Sequence, residues 1–333
     1  WLRRICGKRN YEIFWQPLLK AKLGSFHDQV SAVFIWATLT RLFGARSGTA
    51  NKEKLGYVSG GYRRILEGFQ EALTSAGAIL HVGCPVKRIE TVRDPDSEKK
   101  LCQVTFVQGR QAAVSASFDH VVFTGPTRLA KEVVSPELLQ HVELVEKEFP
   151  TSGAYLGVIC LVLVLKKALT PYYVLNIGDE SVELTGLIEM TNLINREKET
   201  AGKSLVYLPR YVGSDDPLLE APDAALSAPF IERGLQRLFP EFKPDEIVLR
   251  SVHRARFVQP LPLVRARLDS RPVPAMQGPF QILGTFMLQC ATLNNNEVVG
   301  LVDGFVEKNR ERLQALKDGK SRAPVPLGGG KCQ

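Results

Sequence analysis

The chain has no C-x-x-C pair. Its six cysteines lie at positions 6, 84, 102, 160, 290 and 332 of 333. That scatter, in a chain neither short nor loop-rich, excludes a disulfide framework or zinc ribbon and makes a reducing compartment, the cytoplasm, the expectation. Five histidines (His27, His81, His120, His141, His253) show no ligand spacing, so no metal is expected. No apolar run is long enough for a membrane span; the longest, 155–165, reads as a buried strand. Lys and Arg total 43 against 35 Asp and Glu, a net charge of +8 without basic blocks interleaved with aromatics. Nucleic-acid binding is therefore not expected, and attraction to an anionic ligand or peripheral membrane contact stays open. There is no G-x-S-x-G elbow. Neither a nucleophile nor a catalytic acid or base can be named.

What is present is an ordinary globular composition, 44% hydrophobic and 23% charged, in a length that suits about two domains. Residues 1–45 read as two helices. Phe14, Trp15, Leu18, Leu19 and Leu23 precede a stop at Gly24, and Asp28 is the expected cap of the second helix. Gly60 and Gly61 open a helix with Ile65, Phe69 and Leu73 on one face, ended by Gly77. Strands are expected at 78–82, 86–92, 101–107 and 118–123, the last ending in Thr124-Gly125-Pro126. Ser135-Pro136-Glu137 is a helix start. Strands dominate 151–209, a helix fills 226–239, and strands return at 246–256 and 280–288. Asn294-Asn295-Asn296-Glu297 starts a long helix through Leu301, Phe305 and Leu313. A helix start aims unpaired N–H groups at what lies before it, which suits an anionic or electron-rich ligand; Asn294 as a plain N-cap is the simpler alternative.

In this order the segments resemble the flavin-containing amine oxidase superfamily, which includes protoporphyrinogen oxidase-like and phytoene desaturase-like enzymes. NYEIFWQPLLKAKLG, YVSGGYRRILEGFQEAL, VGCPVKRI, FDHVVFTGP, MTNLI with VYLPRYV, and LGTFMLQCATLNNNEVVGLVDGFV carry the resemblance, which covers about residues 1–315. It implies a mixed α/β (α+β) fold, with an incomplete FAD-binding Rossmann-like domain interleaved with a substrate domain of mixed sheet and helices. The expected division is 1–54, helical part of the substrate domain; 55–150, middle FAD-binding segment; 151–244, substrate-domain sheet; 245–315, C-terminal FAD-binding segment; 316–333, disordered tail.

The resemblance also implies FAD as cofactor, a small organic substrate, and hydride transfer from a C–N or C–C unit to flavin. By position, Val86 would meet the adenine side. Thr124, Gly125 and Pro126 would line the crevice. Thr285 and the helix start Leu293, Asn294, Asn295, Asn296, Glu297 and Val298 would approach the pyrophosphate or the isoalloxazine. Gly60 and Gly61 would let the backbone pass the cofactor region. Two departures stand out. The G-x-G-x-x-G fingerprint is absent, and the chain starts at Trp1, so a fragment lacking the amino-terminal motif is expected. Gly284-Thr285 stands where many members have Gly-Asp. Two alternatives remain: a UDP-galactopyranose mutase-like flavin isomerase, with Arg254, Arg256, Arg265 and Arg267 as suppliers of charge neutralisation, and a non-catalytic ligand-binding member.

Overall fold

The computed structural model describes residues 1–44, 56–109, 112–179, 181–182, 184–264, 273–288 and 294–318. Among them ten strands form: β1 (Val86–Arg93), β2 (Lys100–Val107), β3 (Ala113–Phe118), β4 (Val121–Phe123), β5 (Tyr155–Leu165), β6 (Val174–Asn176), β7 (Gly186–Glu189), β8 (Ser204–Gly213), β9 (Ile247–Pro260) and β10 (Phe280–Ile282). The main helices are α1 (Gln16–Leu23), α2 (Ala32–Gly44), α3 (Gly61–Ser75), α4 (Thr127–Val133), α5 (Pro136–Glu148), α6 (Asn295–Lys308) and α7 (Arg310–Asp318). The fold is a mixture of helices and sheets. The chain divides into two compact units, 1–79 with 154–264, and 80–153 with 265–333.

The first unit is built on a five-stranded antiparallel sheet, in the order β6-β7-β8-β5-β9. The unbroken apolar run of β5 is explained by its place: it pairs with β8 from Leu156↔Gly213 to Leu165↔Ser204 and with β9 on its other side. Leu161, Leu163 and Leu165 meet Val206 and Leu208 on one face, which Phe230, Ile231 and Leu235 cover. On the other face Leu156 packs against Leu19 and Leu23 of α1 and Phe34 and Ile35 of α2. Leu163 is fully buried in the first cluster. Leu163→Ala should cost about 2 to 5 kcal/mol, because the rigid sheet closes only part of the cavity; urea unfolding followed by tryptophan fluorescence measures it.

The second unit holds a three-stranded meander, β1-β2-β3, and a two-stranded parallel pair, β10 with β4. Two ties join meander and helices: an Ile89↔Val134 bridge and the Ser135 N–H donating to the Ile89 carbonyl. Val142 and Val145 of α5 are buried with Phe149, whose ring stands edge-on to Phe286 at 5.6 Å.

Several expectations change. The 246–256 strand is real but longer, and it pairs with β5, so the boundary expected at 244/245 falls at 264/265. Residues 55–79 belong with the first unit rather than with the segment that follows them. No strand forms at 78–82; those residues are exposed, and no neighbouring strand pairs with them among the described residues. The expected strand at 118–123 is cut at Asp119-His120, so β3 pairs with β2 and β4 pairs with β10. Helix α2 starts at Ala32, and Ser31 rather than Asp28 stands before it, its Oγ accepting from the Val33 N–H. The tail expected from 316 begins inside α7, and 319–333 lies outside the described residues.

Candidate cofactor site

The apolar run at 280 finds its buried place beside β4. Phe280, Gln281 and Ile282 align in parallel with Val121, Val122 and Phe123, and the Leu283 N–H extends the ladder to the Phe123 carbonyl at 2.9 Å. Parallel pairing sets both carboxyl ends at one edge. Thr124-Gly125-Pro126 leaves β4 there, and Gly284-Thr285 leaves β10 there. In open α/β sheets the crevice outside the carboxyl ends of adjacent parallel strands is where ligands bind.

Both exits are shaped by glycine. A Cβ on Gly125 would stand 2.9 Å from the Phe123 ring, and one on Gly284 only 2.2 Å from the Phe286 ring. Each glycine thus lets an aromatic ring of its own strand fold back against the backbone. Pro126 then caps α4, its carbonyl accepting from the Leu129 and Ala130 N–H groups. Thr124 stays exposed and Thr285 half-exposed at the end of the pair.

Helix α6 is anchored at its far end. Lys308 Nζ donates to the Val273 carbonyl at 2.6 Å, and Arg312 donates to the carbonyls of Met276 and Gly278. Asn309, buried between α6 and α7, accepts from the Met276 N–H at 2.7 Å and donates to the Pro274 and Phe305 carbonyls. These partners lead directly into β10. The carboxyl end of α6 is therefore fixed beside the segment that leads into β10. Asn309 gave no sign in the sequence; only its saturated hydrogen bonding reveals it.

At the amino end of α6 Asn294 is the N-cap. Its Oδ1 accepts from the Glu297 N–H at 3.0 Å, and its Nδ2 donates to Glu297 Oε1 at 2.9 Å. Asn295 and Asn296 are exposed, and their N–H groups stand outside the intrahelical ladder. Val298 is the first residue to close the ladder, donating to the Asn294 carbonyl. Asn294→Ala should lower the stability of the second unit by about 1 kcal/mol, read as a fall in its denaturation midpoint; unchanged stability would mean that the cap is dispensable.

The other expected site residues are placed differently. Val86 begins β1, opposite Phe106 and next to a bulge, in the meander rather than in the parallel pair. Gly60 and Gly61 belong to the first unit. Both have positive φ, +84° and +72°. The Gly60 N–H donates to Glu199 Oε2 and Ser59 Oγ to Glu199 Oε1, so this turn is a tether to residue 199 of its own unit. Leu293 lies outside the described residues.

The donor set discriminates between the parts of a flavin nucleotide. Glu297 puts a carboxylate in the first turn of α6, where it complements the helix dipole and would repel a pyrophosphate. The N–H groups of Asn295 and Asn296, outside the intrahelical ladder, suit an uncharged, electron-rich ring edge, as do the neutral exits at Thr124 and Thr285. The residues present therefore fit the ring end of FAD and not its phosphates. No group of three or more His, Cys, Asp or Glu among the described residues could hold a metal. Burial pushes the thiols of Cys102 and Cys160 up to about 11, which leaves both protonated and poor nucleophiles.

The fold is a mixture of helices and sheets with one short parallel strand pair. The model of the flavin containing amine oxidoreductases matches residues 1–285, and the chain belongs to that family. FAD is the cofactor this membership implies. Among solved structures the chain is similar to an oxidoreductase from Methanosarcina mazei, at 16% identity and TM-score 0.56, covering 86% of this chain and 62% of that one. It is similar to reduced UDP-galactopyranose mutase at 15% identity and TM-score 0.60, covering 94% and 67%. It is also similar to a protoporphyrinogen oxidase-like protein from Exiguobacterium sp. 255-15 at 13% identity and TM-score 0.62, covering 94% and 66%. At these identities the likeness is one of fold. The chain spans 62% to 67% of the length of these three proteins. No curated protein sequence matches it.

Proposed function

We propose that this chain is part of an FAD-dependent oxidoreductase of the amine oxidase or desaturase type, acting on a C–N or C–C unit of a small organic substrate. The observation that carries the reading is the parallel pairing of β10 with β4, which sets the exits Thr124-Gly125-Pro126 and Gly284-Thr285 at one edge, in a chain whose residues 1–285 match the flavin containing amine oxidoreductases. In this reading the second unit holds the cofactor and the first unit presents the substrate.

The chemistry FAD supplies when bound is acceptance of a hydride. The exits at Thr124 and Thr285 would bound the ring edge. The N–H groups of Asn295 and Asn296 would face it as fixed donors that need no reorganisation. Phe123 and Phe286, folded over their glycines, stiffen the exits and keep water from the strand ends. Val86, at the start of β1 in the meander, would meet the adenine side, and Gly60 and Gly61 would serve a structural role through the tie to Glu199. No helix is long and apolar enough to cross a membrane among the described residues. The four described cysteines are free.

The isomerase alternative loses its arginines. Arg254 donates to the Ala221 carbonyl and to Asp223 at 2.6 Å, and Arg256 to the Ser214 carbonyl and Glu220. Both cations are spent within the first unit. Arg265 and Arg267 lie outside the described residues. The test uses the full-length parent protein loaded with FAD and mixed without oxygen with a panel of primary and secondary amines and polyenes. Loss of the oxidised-flavin absorbance with a member of the panel supports the oxidoreductase. Turnover of UDP-galactopyranose instead, without net flavin reduction, would select the isomerase; neither result would select the non-catalytic reading.

A further inference from the structure

In the second unit β3 hands over to β4 at Asp119-His120, and this junction is seated against the turn that opens β10. His120 Nδ1 lies 3.1 Å from the Gly278 carbonyl, and the next N–H, that of Val121, donates to the Pro279 carbonyl at 2.8 Å. The same Gly278 carbonyl accepts from Arg312 of α7 at 2.8 Å, while the other arm of that guanidinium donates to the Met276 carbonyl. One oxygen thus joins the β3–β4 junction, the turn before β10 and α7. Helix α7 has little else to hold it, since it buries no residue of its own. The bond to Gly278 requires a proton on Nδ1, so Nε2 is the nitrogen that titrates. His120 Nε2 is shielded from solvent and has no partner. A bare acceptor can stay there at modest cost; a charged N–H cannot, because it would be buried without an acceptor.

We propose that the His120 junction is an acid-opened latch: a proton taken up at Nε2 unseats the imidazole from the Gly278 carbonyl and loosens both the turn before β10 and the hold on α7. The charge that meets the ring from α7 is the Arg312 guanidinium, of like sign and on the same oxygen. Asp119, its neighbour in the chain, is held by Lys99 Nζ at 2.6 Å. On α7, Arg310 is held by Glu307, and Glu311 forms no ion pair among the described residues. Neither 273–280 nor β4 carries a titratable side chain. Burial lowers the pKa of His120 from 6.5; the Gly278 bond opposes that shift, and Arg312 adds to it. With the folded pKa below 6.5, the closed latch is fully favoured above that value and loses ground as the pH falls through it. Once open, the ring regains its ordinary pKa, so between about pH 7.5 and about pH 5.5 the open share should rise by up to about tenfold. β4 and β10 are the pair whose exits form the candidate cofactor site, but the latch itself does not rest on the flavin reading.

The test needs no FAD. The 333-residue chain at low micromolar concentration is followed at both pH values by amide hydrogen exchange read by mass spectrometry, corrected for the intrinsic pH dependence of exchange. Peptides covering 276–280 and α7 should lose up to about tenfold in protection at the lower pH, while those of β5 and β8 in the first unit keep theirs. Exchange of the histidine C2–H in the same samples should place the pKa of His120 below 6.5. His120→Asn sets a non-titrating amide N–H₂ where Nδ1 stands, so it should keep the Gly278 link and abolish the pH dependence. His141, whose pKa burial also lowers, remains in that variant, so any acid loosening left there belongs to it. A His120 pKa at or above 6.5, protection of 276–280 that is the same at both pH values, or an equal acid loss in His120→Asn would each overturn the proposal. Should the variant not fold, the two measurements on the unaltered chain decide alone.

Discussion

Purified as it stands, mixed with FAD and freed of excess, the 333-residue chain is expected to be colourless. In the proposed reading the strand exits and the amino end of α6 would supply contacts for one end of the cofactor. The other end, a pyrophosphate, is held in nucleotide-binding folds by several N–H groups of a glycine-rich turn acting together. No G-x-G-x-x-G turn is encoded in these residues, and Glu297 disqualifies the helix start as a substitute. The structure adds a second reason. A parallel pair of two short strands is marginal, because parallel sheets are ordinarily covered on both faces. The second edge of β4 is unpaired among the described residues, and Val122 there is 38% exposed. Helix α3 shows the same want of cover. It buries no residue, although Tyr62, Ile65, Leu66, Phe69 and Leu73 form one apolar stripe. Such a patch invites self-association. Flavin absorbance after gel filtration decides the matter. A stoichiometric yellow protein would show that the turn is dispensable. Joining a longer reading frame that encodes the turn should restore colour and solubility together. Leu66→Glu with Phe69→Gln should improve solubility alone and leave the chain colourless.

What was legible in the sequence was local and ordered. The run in β5, the cap at Asn294, the proline start of α5 and the Thr-Gly-Pro exit of β4 each carry a signal within a few residues, and the order of segments carried the family. What was not legible depends on partners distant in the chain. Residues 246–256 read as a strand, but only the register with β5 shows that Ile247–Pro260 closes the five-stranded sheet. Residues 78–82 have the apolar content of a strand, yet a strand exists only where a neighbour accepts its hydrogen bonds. Gly60 and Gly61 signal a turn, but Glu199, which holds that turn, lies about 140 positions away. Asn309 and Glu189 could not be singled out, since one polar residue in a helix or strand looks like any other until its partners are seen.

Glu189→Ala is expected to be among the most destabilising single substitutions in the first unit. Glu189 ends β7 and is fully buried. One carboxylate oxygen accepts from the Leu169 and Thr170 N–H groups, at 3.2 and 3.0 Å; the other accepts from the Ser204 hydroxyl. The Thr191 hydroxyl lies 3.2 Å from Ser204 Oγ and accepts from the Leu205 N–H, and the Arg196 guanidinium stands 4.0 Å from Glu189 Oε1. The carboxylate thus fastens the chain at 169–170 to the start of β8. Alanine removes the acceptor for all three donors at once. Each donor left buried costs about 1 to 3 kcal/mol, so the loss should reach at least about 3 kcal/mol. Against a domain stability of about 5 to 15 kcal/mol, that is a large fraction. Glu189→Gln keeps one oxygen but turns an amide N–H₂ toward donors, and should fall between wild type and alanine. Ser204→Ala removes one donor together with its demand and should cost less than either. Urea titrations of the three variants give the order directly. If Glu189→Ala proved no worse than Ser204→Ala, water rather than the carboxylate would be satisfying Leu169 and Thr170.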